Sequence, residues 1–359
     1  MQIFQMVLAV FAILGAADKI FGNKLKLGEE FEKGIEAIGS LSLAMIGMIV
    51  LAPTLSKILI PVFEPIAGFL HIDRSFAAGF LANDAGGAMV ARELSPTVWG
   101  KFNGLIVGAM LGVTIVFTIP VFIKTVDKEY HREVLDGIIC GTVTMPFGCF
   151  VGGLLLGCPL GELILNILPI IIISGAVCMG LILKPEATQG VFEIFGKGVL
   201  VLITIGLSAG VFDYLTGIKL IPYMDSIEGA FSSVATIAIT LSGVLPLISV
   251  LSRLLKKPFK SLGKLFKINE EAVLGFVVSL SNSIPMMTMV PKMDKKGIVL
   301  NSAFAVSAAF LLGDHLAFTM AFDESCLLSV IAGKLAGGIS AVILAHFYYK
   351  RREKHVSVG

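Results

Sequence analysis

Charged residues are scarce in this chain. Only 15% of its 359 residues are Asp, Glu, Lys or Arg, against about 25% in a typical soluble domain. Hydrophobic residues make up 56%, the mean hydropathy is +0.91, and no long stretch has the composition of a soluble domain. The sequence therefore predicts an all-α, polytopic membrane protein with a single transmembrane domain covering residues 1–359. The net charge of +2 gives no reason to expect nucleic acid as a partner.

The motifs of common enzyme and metal chemistry are missing as well. The sequence has no GxxxxGK[ST] phosphate-binding loop, no HExxH zinc motif and no CxxC pair among its five cysteines. No nucleophile and general base lie at a spacing in the sequence that would indicate a catalytic pair. We therefore expect no enzymatic activity, no cofactor and no bound metal, and we interpret the cysteines as small packing residues.

Apolar segments of about 20 residues, the length that crosses a bilayer, are numerous. Two further segments, 75–95 and 269–291, are apolar but interrupted by polar residues. Because freed backbone groups find no water in hydrocarbon, such interruptions persist only beside a cavity or inside packed protein. Matched interruptions in two halves of a chain point to a transporter's binding site. The nine uninterrupted spans are predicted at 2–21, 34–56, 104–123, 137–157, 162–183, 198–216, 229–252, 297–318 and 324–348.

Clusters of Lys and Arg predict the orientation of the chain. They lie at 19–33, 124–132, 253–267, 292–296 and 350–354, and the positive-inside rule places all of them in the cytoplasm. All five clusters can lie in the cytoplasm if each interrupted segment enters and leaves the membrane on the same side. Nine spans with two re-entrant or broken segments then put the C-terminus inside and the N-terminus outside the cell (inner) membrane. Eleven full spans are the alternative.

Similar residues recur about 190 to 200 positions apart. With 162–183 as a connector helix, five elements in each half run in opposite directions. This predicts an inverted repeat of residues 1–160 and 190–350, an arrangement typical of secondary carriers. The matching pairs are Gly15 with Gly206, Pro53 with Pro246, Gly104 with Gly297, and the two Leu-x-Asn interruptions.

Glycines spaced four residues apart indicate close helix packing. Small residues let helix backbones approach each other in lipid, where hydrophobicity does not drive association. We interpret all of these glycines as structural. They are Gly104, Gly108 and Gly112, Gly148 with Gly152, and Gly333 with Gly337.

The first interruption offers a carboxylate, an amide and exposed backbone, at Asn83, Asp84, Gly86 and Gly87. The glycines predict the structural break. The polar pair suits a small cation such as an ammonium group, which a carboxylate binds through charge-assisted hydrogen bonds. The alternative is that Asp84 caps the half-helix that follows.

The second interruption carries neutral hydrogen-bonding groups at Ser281 and Asn282, followed by Pro285. We predict that the first two contribute to substrate binding. Pro285 predicts a break because proline has no backbone donor.

Three more ionisable residues fall at membrane depth, where each costs about 2.5–3.5 kcal/mol and tends to mark a pathway. Asp314 and His315 lie late in the span 297–318. They are candidates for substrate binding and for proton coupling, since imidazole titrates near neutral pH; a hydrogen-bonded structural role is the alternative. Lys334 is a further candidate for ion or proton coupling. It could instead extend to the headgroups or neutralise an acidic partner.

Several of these stretches carry a family resemblance. They are Leu81-Ala82-Asn83-Asp84, Gly196-Lys197-Gly198, Gly313-Asp314-His315 and Gly333-Lys334-Leu335-Ala336-Gly337-Gly338. Together they resemble the ethanolamine permeases of bacterial ethanolamine-utilisation operons, and the resemblance runs from the first span to the last. The second interruption departs from it, reading Leu-Ser-Asn-Ser where the family pattern reads Leu-Ala-Asn-Asn.

The resemblance implies uptake of ethanolamine across the cytoplasmic membrane for ethanolamine catabolism. Under this hypothesis Asp84 or Asp314 pairs with the ammonium, and Asn83, Ser281 and Asn282 bind the hydroxyl. Two alternatives are a carrier of another small amine or organic solute and a non-transporting membrane sensor or recruiter. The sequence leaves open facilitated diffusion or coupling to protons or sodium, and the oligomeric state.

Overall fold

The computed structural model describes residues 2–356, and this part of the chain is built from helices and turns. Met1 and residues 357–359 lie outside the described residues, as do the side chains of Lys256, Lys257, Lys260 and Lys354 from the predicted basic clusters. The α-helices are α1 Gln2–Ile20, α2 Leu27–Leu70, α3 Ala88–Leu94, α4 Val98–Lys101, α5 Ile119–Thr125, α6 His131–Leu156, α7 Leu160–Leu183, α8 Pro185–Thr216, α9 Ile227–Phe266, α10 Glu270–Ser281, α11 Ser283–Met289, α12 Lys295–Ala308, α13 Asp314–Asp323 and α14 Leu327–Val356.

Shorter helical turns connect some of these helices. Three of them matter for the site: Phe102–Gly112 and Thr114–Thr118 have the wider π-helical geometry, and Asn83–Gly87 is a kinked turn with non-helical backbone at Ala85 and Gly86. The 3-10 turns are Arg74–Phe80, Lys128–Tyr130, Val290–Lys292 and Glu324–Cys326.

Many of the helices have the length and composition of membrane spans. Their outer faces carry large exposed apolar side chains, for example Phe147, Ile172, Ile194 and Ile343, as a lipid-facing surface does. The chain is an all-α, polytopic membrane protein, as its composition predicts. Within residues 2–356, seven helices are long and apolar enough to cross a membrane: Leu27–Leu70, Val98–Thr125, Lys128–Leu156, Leu160–Leu183, Pro185–Thr216, Ile227–Leu254 and Asp314–Glu353.

The prediction of one continuous span at 297–318 is wrong. The helix α12 ends at Ala308, the chain turns through residues 309–313, and α13 begins at Asp314. In this turn Phe310 has a left-handed backbone, with φ +61. The backbone N–H groups of Phe310 and Leu312 donate to the carbonyls of Ser279 and Leu280, at 3.0 and 2.7 Å. Hydrogen bonds to α10 thus replace those that a continuous helix would make.

Both interrupted segments fold back on themselves. In the first, residues 73–95, Ser95 Oγ donates to Asp73 Oδ2 at 2.9 Å and Arg74 Nε donates to the Leu94 carbonyl at 2.6 Å. These bonds join the two ends of the segment, which we call hairpin 1. Its beginning and its end therefore lie together at one edge of the helix bundle.

The second segment, residues 269–294, is closed in the same manner and is called hairpin 2. The Asn269 backbone N–H donates to Asp294 Oδ1 at 2.9 Å, and Asn269 Nδ2 donates to the Lys292 carbonyl at 2.7 Å. The helices α10 and α11 form its two arms. A segment closed in this way has the shape that a re-entrant segment requires.

Glycines bring the helices around the hairpins into backbone contact. A Cβ atom added at Gly148 of α6 would lie 2.8 Å from the Gly333 carbonyl oxygen of α14, and one at Gly333 would lie 2.9 Å from the Gly148 carbonyl oxygen. Gly108, in the π-helical segment, packs similarly against the Leu81 carbonyl of hairpin 1, at 3.1 Å. The predicted packing role of these glycines is confirmed.

The predicted connector is the helix α7, which packs against α6 and α8. It also supports hairpin 1 and the helix that follows it. Asn166 Oδ1 accepts from the Asp73 backbone N–H at 3.0 Å, and Glu162 Oε2 accepts from Trp99 Nε1 at 3.1 Å. The polar face of α7 thus holds in place the segment that carries Asp84.

Candidate functional site

The bend of hairpin 1 is a tight turn at Asn83–Gly87. Ala82 before it is extended, and Gly86 has φ +88, a left-handed conformation that favours glycine. Met48 of α2 packs directly over Gly86, so that an added Cβ would collide with its side chain. The predicted break at Gly86 and Gly87 is therefore present, and Gly86 is required for both its conformation and its size. The cap residues Ala82 and Gly87 make no side-chain hydrogen bond, and the Asp84 carboxylate interacts with the backbone N–H groups of Asp84 and Ala85 within the bend.

The turn 309–313 brings Asp314 and His315 to this bend. His315 Nε2 lies 3.9 Å from Asp84 Oδ2, which is longer than a hydrogen bond. The His315 side chain is 1% exposed, its Nδ1 has no hydrogen-bond partner, and Asp84 is 28% exposed. Asp314 is half-buried and lies within electrostatic reach of Asp84. The two carboxylates therefore share one site with the imidazole.

Lys334 approaches the site from α14 and is 1% exposed. Its Nζ donates to the Ala109 carbonyl oxygen at 2.8 Å. The predicted alternative, in which this lysine extends to the headgroups, is wrong. Among the described residues Lys334 forms no ion pair with a carboxylate, and Asp84, His315 and the Cys149 thiol lie within its electrostatic reach. Its acceptor belongs to the π-helical segment Phe102–Gly112.

Asn83 is fully buried, and neither of its side-chain polar atoms has a hydrogen-bond partner. Leaving such a group unpaired costs about 1–3 kcal/mol for each atom. The hydroxyls of Ser283 and Ser307 are also buried without partners. An unpaired amide beside Asp84 is the strongest local indication of a polar ligand.

The second interruption lies behind the turn 309–313. Its Ser281 carbonyl packs against Gly313 so closely that no Cβ fits there. Asn282 Oδ1 accepts from the Ile284 backbone N–H at 2.9 Å and so caps α11. Pro285 follows in the first turn of α11 and is exposed. The chain therefore breaks at Asn282, and Pro285 occupies a position where a missing donor is tolerated.

Aromatic rings border the site, a feature that sequence reasoning missed. The Phe310 ring lies 5.3 Å from the His315 ring and 5.4 Å from the Phe117 ring, between centroids. With 25 phenylalanines in the chain, no sequence signal singles these out. They come together only because Phe310 lies in the turn and Phe117 lies in the second π-helical segment of the neighbouring helix.

The structure thus brings together five of the predicted residues: Asn83, Asp84, Asp314, His315 and Lys334. Ser281 and Asn282 lie one layer behind, against the turn. No cluster of His, Cys, Asp and Glu suited to a metal ion occurs in the part of the chain that the structure describes. Acidic groups, an unpaired amide and aromatic rings in a buried site suit a small organic cation that also carries a polar group.

Comparisons with known proteins give the family. The model of the family described as "Ethanolamine utilisation protein, EutH" matches residues 1–348. The "Probable ethanolamine permease EutH" of Listeria monocytogenes is 45% identical over 355 residues, covering 98% of this chain and 95% of that protein. Its namesake in Salmonella typhimurium is 37% identical over 385 residues, covering 96% and 94%. The "Uncharacterized protein YxeR" of Bacillus subtilis is 40% identical over 341 residues, covering 94% and 92%. No solved structure matches the chain. The chain belongs to the EutH family of ethanolamine utilisation proteins.

Proposed function

We propose that this protein is a permease that takes up ethanolamine across the bacterial inner membrane, and that it is not an enzyme. The names of its relatives in Listeria and Salmonella support the substrate. The observation that carries the proposal is the bend of hairpin 1, where a carboxylate and a buried, unpaired amide stand side by side at Asp84 and Asn83.

The two ends of ethanolamine match these two groups. The ammonium pairs with Asp84 through charge-assisted hydrogen bonds, and the hydroxyl exchanges hydrogen bonds with the Asn83 amide, which both donates and accepts. Phe310, with Phe117 behind it, offers a ring face to the cation. Ser281 and Asn282 act through the position of the turn 309–313, which Ser281 contacts directly.

Alternating access follows from the inverted repeat that we propose for residues 1–160 and 190–350, joined by α7. Each half's first helix packs on the other half's second helix. A Cβ at Gly15 of α1 would lie 3.2 Å from Pro246 Cγ of α9, and one at Gly206 of α8 would lie 2.7 Å from Leu51 Cγ of α2. This reciprocal exchange supports a two-fold relationship, in which one half moves against the other around the site.

The proposed topology has nine spans, one of them broken at the turn 309–313, and two re-entrant hairpins. The hydrogen bonds that close hairpin 1 and hairpin 2 support it, because they place both ends of each segment at the same edge. The basic clusters then place the C-terminus in the cytoplasm and the N-terminus outside.

Uptake of labelled ethanolamine into proteoliposomes tests the proposal. We expect saturable, protein-dependent uptake that Asp84→Asn abolishes while leaving insertion into the membrane intact. Asp127→Asn is the matched control, because Asp127 is exposed in a loop and forms no capping bond. Unchanged uptake in Asp84→Asn would exclude Asp84 as the cation partner.

Competition identifies the substrate class in the same assay. Ethylamine lacks the hydroxyl, choline lacks the N–H donors, and ethylene glycol lacks the charge. We expect ethylamine to compete weakly and ethylene glycol not at all. Stronger competition by another amine would mean a carrier for that solute. Saturable binding without uptake would instead indicate a sensor.

A further inference from the structure

The positive and negative charges that the ionisable groups of the site can carry are unequal in number. Asp84 and Asp314 are two acids, and Lys334 is the only amine that approaches them in the described part of the chain. Counted with both acids ionised, Lys334 protonated and His315 neutral, the site carries one net negative charge. The thiol of Cys149, which faces Lys334, adds none in its neutral form.

The neighbouring charged groups are engaged elsewhere. At the far end of α13, Asp323 forms an ion pair with Lys101 at 2.6 Å, and Glu324 accepts from the Gln5 amide at 2.5 Å. No charged side chain of α9 or α2 faces the bend among the described contacts of Asp84, Asp314 and His315. The charge balance of the site is thus set by its own four groups.

The geometry leaves the acids open to a cation. Among the described residues no side chain donates a hydrogen bond to Asp84 or Asp314, since His315 stands off at 3.9 Å and Lys334 donates to the Ala109 carbonyl. A net charge at membrane depth is costly. Bound ethanolammonium brings the sum to zero, and in its absence one proton on the site does the same.

Building on the proposed function, we propose that the site exchanges ethanolammonium for a proton shared by Asp84 and Asp314. The substrate cation displaces this proton when it binds, and the empty site crosses back only after it has taken up a proton. Each cycle moves one ethanolammonium inward and one proton outward, so that atoms and charges balance and no net charge crosses the membrane. At equilibrium the carrier therefore equalises the neutral amine on the two sides, so that a pH gradient alters the distribution of ethanolammonium and the membrane potential does not.

The first test applies a potassium diffusion potential to proteoliposomes that contain the full chain. An inside-negative potential of about 100 mV corresponds to about 50-fold accumulation of a singly charged cation. We expect uptake of labelled ethanolamine to be the same with and without this potential. Potential-driven uptake would overturn the exchange but leave the permease in place. The absence of any protein-dependent uptake would overturn the proposed function itself.

A second test separates proton exchange from carriage of the neutral amine. Lowering the external pH by one unit lowers the neutral amine about tenfold, because a primary amine titrates far above neutral pH. At a cation concentration that saturates an exchanger, the exchanger keeps most of its rate, whereas a carrier of the neutral form loses about tenfold if the scarce neutral amine is well below its own half-saturation. A tenfold loss would overturn the proposal.

Variants of Asp314 test where the proton resides. In Asp314→Asn the empty site is neutral without a proton, so that residual uptake carries one charge and becomes potential-driven. Asp314→Glu restores electroneutral uptake, and Asp127→Asn leaves it unaltered. Residual uptake in Asp314→Asn that ignores the potential, or failure of Asp314→Glu to restore electroneutral uptake, would overturn the assignment to this pair.

Discussion

His315 Nε2 stands 3.9 Å from Asp84 Oδ2, and this approach joins the bend of hairpin 1 to the start of α13. The distance is too long for a hydrogen bond, and the two groups form an ion pair only when the imidazole is protonated. A ligand's donor can therefore reach the carboxylate without displacing a competing side chain. Two breaks in the helices, one in each predicted half, create this arrangement: the bend of hairpin 1 and the turn 309–313.

Gly86→Ala tests the bend of hairpin 1. The substitution meets both a left-handed backbone, φ +88, and the side chain of Met48. We expect a loss of about 1–3 kcal/mol from the backbone alone, a further loss from the collision, and impaired uptake. Thermal unfolding in detergent measures the first two effects.

Gly22→Ala is the matched control for Gly86→Ala. Gly22 has a similar backbone, φ +91, but an added Cβ meets nothing within 4 Å. The Gly22→Ala variant should therefore lose stability only through its backbone conformation, without a collision. Adding Met48→Ala to Gly86→Ala should recover part of the stability. Equal melting temperatures for Gly22→Ala and Gly86→Ala would contradict the close contact with Met48.

Much of this bend could be predicted from the sequence, because Asn, Asp and two glycines in an apolar segment interrupt a membrane helix and persist only beside a cavity or packed protein. The turn 309–313 could not. Its residues 309–312 are Ala-Phe-Leu-Leu, which are compatible with a helix, and only Gly313 suggests an interruption. The turn is stabilised by hydrogen bonds to Ser279 and Leu280, and such long-range pairing leaves no local pattern.

The surroundings of Lys334 could not be predicted from the sequence either. A lysine in an apolar helix predicts a functional or an interfacial position, and only the fold decides between them. Its acceptor, the Ala109 carbonyl, belongs to a π-helical segment whose composition differs little from that of an ordinary apolar helix. The glycine spacings, in contrast, predicted correctly that these helices pack closely, because backbone contact requires small residues.

Lys334→Met tests the role of the buried amine. Methionine has a similar length and apolar character but provides neither the donor to Ala109 nor a positive charge. Loss of a hydrogen bond to a charged group costs about 1.5–3 kcal/mol, and the site then has no fixed cation to offset Asp84. We expect saturable ethanolamine uptake to fall at least about tenfold, as about 1.4 kcal/mol suffices for that factor. Lys334→Arg should not restore it, because the larger, planar guanidinium must replace an ammonium in a position that is 1% exposed.

Uptake by Lys334→Met close to the wild-type rate would contradict this role. Melting temperatures separate the two effects of the substitution. A variant that unfolds early and transports normally at low temperature would show that Lys334 contributes to stability alone.

Gly148→Ala tests the crossing of α6 and α14. The new methyl group would lie 2.8 Å from the Gly333 carbonyl oxygen, so the helices must move apart. We expect destabilisation of about 1–3 kcal/mol, the usual cost of overpacking. Gly175→Ala of α7 is the control, because nothing lies within 4 Å of its added Cβ and alanine favours a helix. A Gly148→Ala protein as stable as Gly175→Ala would mean that the crossing is looser than described.

Asp18→Ala tests the corner between α1 and α2. The Asp18 carboxylate accepts from the backbone N–H groups of Leu25, Leu27 and Gly28, at 2.9, 2.9 and 3.2 Å. Alanine leaves these donors unpaired, at about 1–3 kcal/mol for each that stays buried. We expect a clear fall in the melting temperature. Asp18→Asn keeps one acceptor oxygen but not the charge, so its melting temperature should lie between those of Asp18→Ala and the wild type. An unaltered melting temperature in Asp18→Ala would exclude a structural role for Asp18.

Labelling of single cysteines tests whether the hairpins are re-entrant. His71 and Thr97 are exposed and flank hairpin 1, whose ends are joined by hydrogen bonds. We expect His71→Cys and Thr97→Cys both to react with a membrane-impermeant maleimide added outside intact cells. Lys267→Cys and Lys292→Cys, which flank hairpin 2, should react only after permeabilisation. The five native cysteines are buried, and buried thiols react poorly, so the background is low.

A topology of eleven full spans places the two ends of each hairpin on opposite sides of the membrane. Labelling of only one residue in either pair from outside would therefore support that alternative over the re-entrant arrangement.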